Sequence, residues 1–243
     1  MKSIILCAGK GTRSGNYESG KNKCLTAIYN YGIILDYSLK TASELTDEII
    51  VLLGYKAADV RRYVENYAKS FNKKILFAEQ HELSGICQGL LCCASLLDGE
   101  DFLLFLGDEI LTAPAHKTMI EDFVKTNALA ACGFVYADNP DDVKRTYSLM
   151  LSGNIVVDIE EKPSSPCNTL MGTGNCAFQY EFIDLIRGFG KQNMRGGGEV
   201  SFPHILKAAI TNGETVIASE IGKSYLNFNT EKDIKVFLNN SKR

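Results

Sequence analysis

Apolar positions in this chain come in short blocks. "SIILCA", "EIIVLLG", "KILFAE", "DFLLFLGD" and "LAACGFVYA" are aliphatic or β-branched runs, separated by stretches with helical spacing of apolar residues. Runs this continuous and too short for helices fit strands buried on both faces, as in a parallel sheet covered by helices. The intervening stretches predict those helices. Residues 32–45 place Ile34, Tyr37, Ser38 and Thr41 on one stripe, and residues 57–70 do so with Val60, Tyr63, Val64 and Tyr67. The predicted fold class is α/β, with ligands expected beyond the carboxyl ends of the strands.

From about residue 145 the texture changes. "YSLMLSGNIVVDIEEKP" alternates apolar and polar residues around Ser152-Gly153-Asn154, which predicts an antiparallel hairpin. "GNCAFQY", "TVIASEI" and "SYLNF" extend this mixed half, and "SFPHILKAAITNG" predicts an amphipathic helix ended by Gly213. "RGGGE" at 195–199 reads as a short mobile loop. With 243 residues and neither an internal repeat nor a linker, one domain is expected, with halves at about 1–144 and 145–243.

Charge and cysteines narrow the function. The net charge is -3, with basic and acidic residues mixed along the chain, so no broad cationic face is offered to nucleic acid or anionic lipid. Any phosphate affinity must be local. Eight cysteines without CxxC spacing, and without a signal peptide before them, predict reduced thiols and a cytoplasmic location. A zinc site from Cys87, Cys92 and Cys93 lacks a fourth ligand at a usual spacing. No apolar run approaches the roughly twenty residues that cross a bilayer.

Local phosphate chemistry is offered at once, by "ILCAGKGTRSGNYESGKNKCL". Gly9 and Gly11 let the backbone turn so that successive amides point at one spot, and missing side chains let a phosphate approach. Arg13 and Lys23 supply cations for a triphosphate. The stretch lacks the third glycine of a dinucleotide fingerprint and the Lys-Ser/Thr of a P-loop. By itself it is also compatible with a plain glycine-rich connection.

Gly9-Lys10-Gly11-Thr12-Arg13 followed by Lys23 in "NKCL" resembles the GxGTR…PKxL signature of the sugar-phosphate nucleotidylyltransferases, the family of glucose-1-phosphate thymidylyltransferase and its uridylyl and cytidylyl relatives. The resemblance continues in order through "GY" at 54–55, "EQ" and "SGICQGL" at 79–90, "LFLGDEIL" at 104–111, Tyr147, "IEEKP" at 159–163, "GTGNCAF" at 172–178, "GEVSF" at 198–202 and "NFNT" at 227–230. It implies a Rossmann-like three-layer fold with a mostly parallel central sheet and a smaller mixed sugar-binding half. The implied reaction transfers a nucleoside monophosphate from dTTP or UTP, or else CTP, to a sugar 1-phosphate or similar small phosphate, releasing pyrophosphate.

The resemblance also implies roles. Gly9, Gly11 and Arg13 would hold the β- and γ-phosphates, Lys23 the α-phosphate, and Gln80 with Gly85 the pyrimidine edge; Ala8 and Thr12 would join the nucleotide-binding set. Tyr147, Glu161 and Gly174 would face the sugar, and Lys162 would grip the acceptor phosphate. Asp108 ends a buried strand, where a carboxylate needs a cation; Mg²⁺ suits it, although Asp also caps helices well. Arg13, Lys23, Asp108 and Lys162 are the expected catalytic set, and Asp108 with Asn227 the expected metal ligands.

Three positions depart from the family pattern. Its second metal-binding aspartate falls at Asn227, which brings no charge. Asn22 precedes Lys23 in place of a proline, so a looser loop is expected, and Ser148 stands where glycine commonly follows the tyrosine, so a crowded sugar pocket is expected. These departures point toward a modified sugar phosphate or a phosphorylated alcohol. Asn227 alone also keeps open a weakly active paralogue that binds nucleotide or sugar phosphate as a regulatory subunit. A homo-oligomer is compatible with the family pattern.

Overall fold

Helices and strands alternate from the start. In the computed structural model, which describes residues 1–11, 20–28, 30–82, 84–193, 201–223 and 225–240, the first part runs β1 (Lys2–Leu6), β2 (Ala27–Ile28), β3 (Gly32–Ile33), α1 (Ile34–Leu45), β4 (Glu48–Leu53), α2 (Ala57–Ala68), β5 (Lys74–Glu79), α3 (Gly85–Leu97) and β6 (Phe102–Leu106). It continues with β7 (Glu109–Leu111), α4 (His116–Thr126), β8 (Ala130–Tyr136), α5 (Pro140–Val143), β9 (Tyr147–Ser152), β10 (Ile155–Glu161) and β11 (Leu170–Phe178). The last elements are α6 (Glu181–Asn193), α7 (Phe202–Thr211), β12 (Val216–Glu220), β13 (Tyr225–Asn227) and α8 (Glu231–Asn240).

Nine strands form one sheet in the order β5-β4-β1-β6-β11-β8-β12-β10-β9. β5, β4, β1 and β6 are mutually parallel, as are β8 and β12, whereas β11 is antiparallel to both of its neighbours. β9 and β10 form the expected hairpin, turned at Gly153. The sheet is covered on both faces, which is why its central strands are apolar without alternation. On one face Ile4, Ile50 and Leu104 pack with Leu90 of α3, Phe182 of α6 and Leu206 of α7. On the other Ile5, Val51 and Phe105 pack with Leu39 of α1, Val60 of α2 and Phe123 of α4. The three layers of the expected α/β fold follow directly.

Two details differ from the sequence-based expectation. The first helix begins at Ile34 because Gly32 and Ile33 pair with Ala27 and Ile28 in a small hairpin. Its buried stripe is Ile34, Leu35, Ser38, Leu39 and Ala42, so Tyr37 and Thr41 lie at the margin. The "RGGGE" stretch falls outside the described residues. Among the described residues no helix is long and apolar enough to cross a membrane.

The feature that matters most for the site is an irregularity in β11. Gly172 opposes Phe134 and Cys176 opposes Cys132, so Thr173, Gly174 and Asn175 together face Gly133 alone. Such a bulge bends the strand and re-aims its backbone amides. A small pair, β7 with β13, sits beside it and sets Asn227 opposite Glu109.

Candidate active site

β1 and β6 are parallel neighbours, so the segments after them, from Cys7 and from Gly107, open on one edge of the sheet. Close backbone approach is enforced there. A Cβ on Gly107 would lie 2.7 Å from Cys7 Sγ, and one on Gly54 would lie 2.7 Å from Ala8 Cβ. Gly11 has φ +62°, a left-handed turn that glycine adopts without strain. A Cβ on Gly9 would meet Lys23 Cε at 3.9 Å, so the lysine stem runs past the glycine turn. Thr12 and Arg13 lie outside the described residues.

Lys23 is held in place by Asn22. That side chain is buried, accepts from Cys24 N at 2.9 Å, and donates to Cys7 O at 2.9 Å and Tyr55 O at 2.8 Å. The loop was expected to be loose for want of prolines; residues 12–19 of it lie outside the described residues, and at its described end Asn22 makes these three hydrogen bonds. Lys23 Nζ forms an ion pair with Asp108 and donates to Phe228 O at 3.5 Å. Strand β7 follows Asp108 at once, so this aspartate caps no helix. Phe228 N donates to Asp108 O at 2.9 Å, which draws the end of β13 against the same corner.

Behind Asp108 stands a residue that no motif singled out. Glu109 is 3% exposed and is ringed by donors: Gly174 N at 3.2 Å from each carboxylate oxygen, Asn175 Nδ2 at 2.8 Å, the Tyr225 hydroxyl, and Asn227 Nδ2 at 3.3 Å. The bulge in β11 is what turns the Gly174 amide toward it. Burial, and then the charge of Asp108, push the Glu109 carboxyl up to about 8, against the pull of Tyr225 and Gly174. Asn175 must offer its NH₂ to Glu109, so its oxygen faces His116 Nε2 at 3.0 Å. In this arrangement Nε2 carries the imidazole proton, and among the described residues buried Nδ1 has no partner. Burial lowers the pKa of His116 accordingly.

Beside this network lies a cavity of about 190 Å³. Glu109 and Gly174 line it, with Tyr147, Glu161 and Lys162 on other sides. Tyr147 contributes its ring: the hydroxyl is buried and donates to Thr173 O at 2.9 Å. Gly174 admits no side chain, since a Cβ would lie 2.2 Å from Leu106 Cγ. Glu161 is met by Lys162 Nζ at 3.2 Å, by the Ser201 hydroxyl and by His204 Nδ1 at 3.4 Å. Lys162 holds φ +47°, an uncommon conformation for a residue with a side chain, fixed by its amide on Thr146 O at 2.7 Å. That turn ends β10 and leaves the ammonium well exposed.

Ser148 was expected to crowd this cavity. It is buried in β9 beside Met171 and is not part of the lining, because neighbouring strand residues face opposite sides. A larger cavity, about 520 Å³, adjoins and shares Arg145, Thr146, Tyr225 and Asn227 with the first. Arg145 pairs with Asp233 at 2.7 Å, and Asp233 accepts from Asn229 N, Thr230 N and the Thr230 hydroxyl at the start of α8. Separately, Gln80 is buried and donates to Gly85 O at 3.2 Å, so the two residues expected at a nucleobase are in contact.

Among the described residues, no group of three or more His, Cys, Asp or Glu converges as a protein-made metal cage. The two residues expected to hold a metal are Asp108, paired with Lys23, and Asn227, whose Oδ1 accepts from Asn229 Nδ2 at 2.7 Å. Both are hard oxygen ligands, and Asp108 already draws a cation in the Lys23 ammonium. The set fits Mg²⁺, which takes one or two carboxylates and completes its shell with substrate phosphates and water.

Glu109, Ser201 and His204 were given no role from sequence, and Asn22 was noted only for the missing proline. Glu109 showed as an acidic residue inside the apolar run "LFLGDEIL", and Ser201 lies within "GEVSF".

Comparison with known proteins gives concordant results. A family model described as "Nucleotidyl transferase" matches residues 2–221. The bifunctional protein GlmU of Methanocaldococcus jannaschii is 28% identical over 215 residues, 88% of this chain and 48% of that protein. A glucose-1-phosphate thymidylyltransferase of Streptomyces antibioticus is 27% identical over 232 residues, 89% of this chain and 59% of that one. The chain thus spans about half the length of these relatives. A solved structure of UDP-glucose pyrophosphorylase complexed with UDP-glucose superposes with a TM-score of 0.80 at 16% identity, covering 100% of this chain and 99% of that one. That likeness is one of fold.

Proposed function

The chain belongs to the nucleotidyl transferase family, and from that premise we propose that it transfers a nucleoside monophosphate from a nucleoside triphosphate to a small phosphorylated acceptor, with release of pyrophosphate. The observation that carries the reading is the adjacency of two unlike compartments. One is a glycine turn with Lys23 and Asp108; the other is a small cavity with Glu161 inside and Lys162 at its rim. dTTP or UTP is favoured, because Gln80 can both donate to and accept from a pyrimidine edge. At about 190 Å³ the cavity suits a sugar 1-phosphate or a smaller phosphate ester, since it lies below the range of about 300–1,000 Å³ usual for ligand pockets.

Mechanism follows from charge and position. Backbone amides at Gly9 and Gly11, with Arg13, receive the β- and γ-phosphates. Lys23 neutralises the α-phosphate as its phosphorus becomes five-coordinate, and Lys162 holds the acceptor phosphate in line. An oxygen of that phosphate bonds to the α-phosphorus while the bond to the bridging oxygen breaks, and pyrophosphate leaves with that electron pair. No general base is needed because the attacking oxygen is already an anion. Asp108 and Asn227 would hold Mg²⁺, which supplies charge neutralisation on the triphosphate. Residues up to about 144 serve the nucleotide and those beyond serve the acceptor, with Asp108 and Asn227 meeting between them.

Pyrophosphate release measured with each of the four nucleoside triphosphates, against a panel of sugar 1-phosphates and phosphorylated alcohols, tests the reading. Turnover with at least one pair, abolished by Asp108→Asn, is expected. Tight nucleotide binding without turnover on any acceptor would favour the regulatory alternative.

A further inference from the structure

Helix α7 begins with a serine that does not cap it. Ser201 stands at the N-cap with extended backbone, φ -89° and ψ 154°, yet its side chain accepts no hydrogen bond from the first turn. A serine in that place ordinarily accepts from an amide of the turn, which is why the residue type is favoured at helix starts. Pro203 has no amide to give, and the hydroxyl instead donates to Glu161, both residues lining the small cavity. We propose that Ser201 is a positioning residue that holds the Glu161 carboxylate for two neighbouring hydroxyls of the acceptor, so that a sugar 1-phosphate is favoured over a phosphorylated simple alcohol. The proposal rests on the nucleotidyl-transfer reading above and deepens its acceptor side.

Three observations support it. A hydroxyl has one proton, and with that proton on Glu161 the Ser201 oxygen is an acceptor toward His204 Nδ1 at 3.1 Å, so the imidazole steadies the serine in turn. The carboxylate is also held one oxygen at a time: Lys162 Nζ lies 3.2 Å from Oε1, and Ser201 meets Oε2. A carboxylate has about four lone-pair sites, so each oxygen keeps one for the cavity, which two adjacent hydroxyls can fill. Finally, the two partners differ in permanence. The Lys162 side chain is 66% exposed and, in the mechanism above, turns to the acceptor phosphate, whereas Ser201 is fixed by α7, which packs on β10 through Leu206 and Ile159. Once the lysine turns away, Ser201 keeps the carboxylate in its plane.

The test is kinetic. Pyrophosphate release with the four nucleoside triphosphates is measured on the 1-phosphates of glucose, galactose, mannose and N-acetylglucosamine, and on ethyl phosphate and phosphoethanolamine, which lack neighbouring hydroxyls. Turnover with at least one of the sugar 1-phosphates is expected. For that pair, Ser201→Ala should raise the acceptor KM about tenfold, the loss of one hydrogen bond to a charged group, and leave kcat and the nucleotide KM unchanged. Ser201→Thr, which keeps the hydroxyl, should restore most of the loss. An unchanged acceptor KM in Ser201→Ala, an equal rise for both substrates as a merely structural role predicts, or no rescue by Ser201→Thr overturns the proposal. If Ser201→Ala does not fold, Ser201→Cys, whose thiol is a weak donor, carries the test, with the same rise expected and an unchanged KM overturning it. Turnover with ethyl phosphate or phosphoethanolamine but with no sugar 1-phosphate overturns this inference and leaves the nucleotidyl-transfer reading standing. No release from any pairing removes that reading, and this inference with it.

Discussion

The glycine corner, proposed to take nucleotide, and the small cavity, proposed to take the acceptor, share an edge of one sheet but are built by different means. At the corner, backbone does most of the work: glycines at 9, 11, 54 and 107 allow close approach, and among the described residues the Lys23–Asp108 ion pair supplies charge. At the cavity, buried side chains do it. Glu109, Asn175, His116 and Tyr225 form a connected polar network under the wall, with the bulge in β11 aimed into it. The first design tolerates little change in shape, and the second little change in hydrogen bonding.

The comparison can be broken most forcefully at the corner. Lys23→Ala should lower kcat/KM about 10²–10³-fold, roughly the loss of one charged transition-state contact. Steady-state kinetics on the nucleotide and acceptor checks this, and a loss under about tenfold would deny Lys23 its role. Asn22→Ala comes next. It leaves Cys7 O and Tyr55 O without this donor in a buried setting and should cost ~3 kcal/mol of stability. Denaturant melts measure the cost, and the nucleotide KM should rise while the acceptor KM stays put.

On the cavity side, Gly174→Ala forces its methyl against Leu106 and should cost ~2 kcal/mol, with the kinetic damage now on the acceptor KM. Equal effects on both substrates would erase the proposed division. The smallest effect concerns acid. The pKa of His116 is lowered in the fold, so the unfolded chain takes up the proton first as pH falls. Stability associated with His116 is present above its unfolded pKa, about 6.5, and is lost below it by up to ~1.4 kcal/mol per pH unit. Thermal melts between pH 7.5 and 5, against His116→Gln, should show a shallower acid slope in the variant.

Much of the fold was legible because it is written in apolar runs. The parallel block and α2 follow from blocks such as "EIIVLLG" and from spacing alone. What spacing could not reveal is β11 lying between β6 and β8, since antiparallel insertion depends on long-range pairing. The corner was legible for a similar reason: glycine turns and a carboxylate at a strand tip are local features. Asn22 could be compared with proline only for backbone stiffness, whereas the fold also gives its side chain three partners that no local pattern announces. Ser148 was misjudged because a residue's face depends on strand alternation. Glu109 showed only as an acidic residue inside an apolar run, because its meaning comes from Gly174, Asn175, Tyr225 and Asn227, all more than sixty residues away along the chain.

The central claim is that one reaction crosses the boundary between these two compartments, with both substrates bound at once and no covalent step on the chain. Its most direct test is the acceptor dependence of pyrophosphate release in a single turnover, with enzyme in excess over nucleotide and Mg²⁺ present. The account predicts no pyrophosphate from nucleotide alone and stoichiometric release once a competent acceptor is added. A burst of pyrophosphate without acceptor would contradict it, because a nucleophile on the chain would then have to carry the nucleotide.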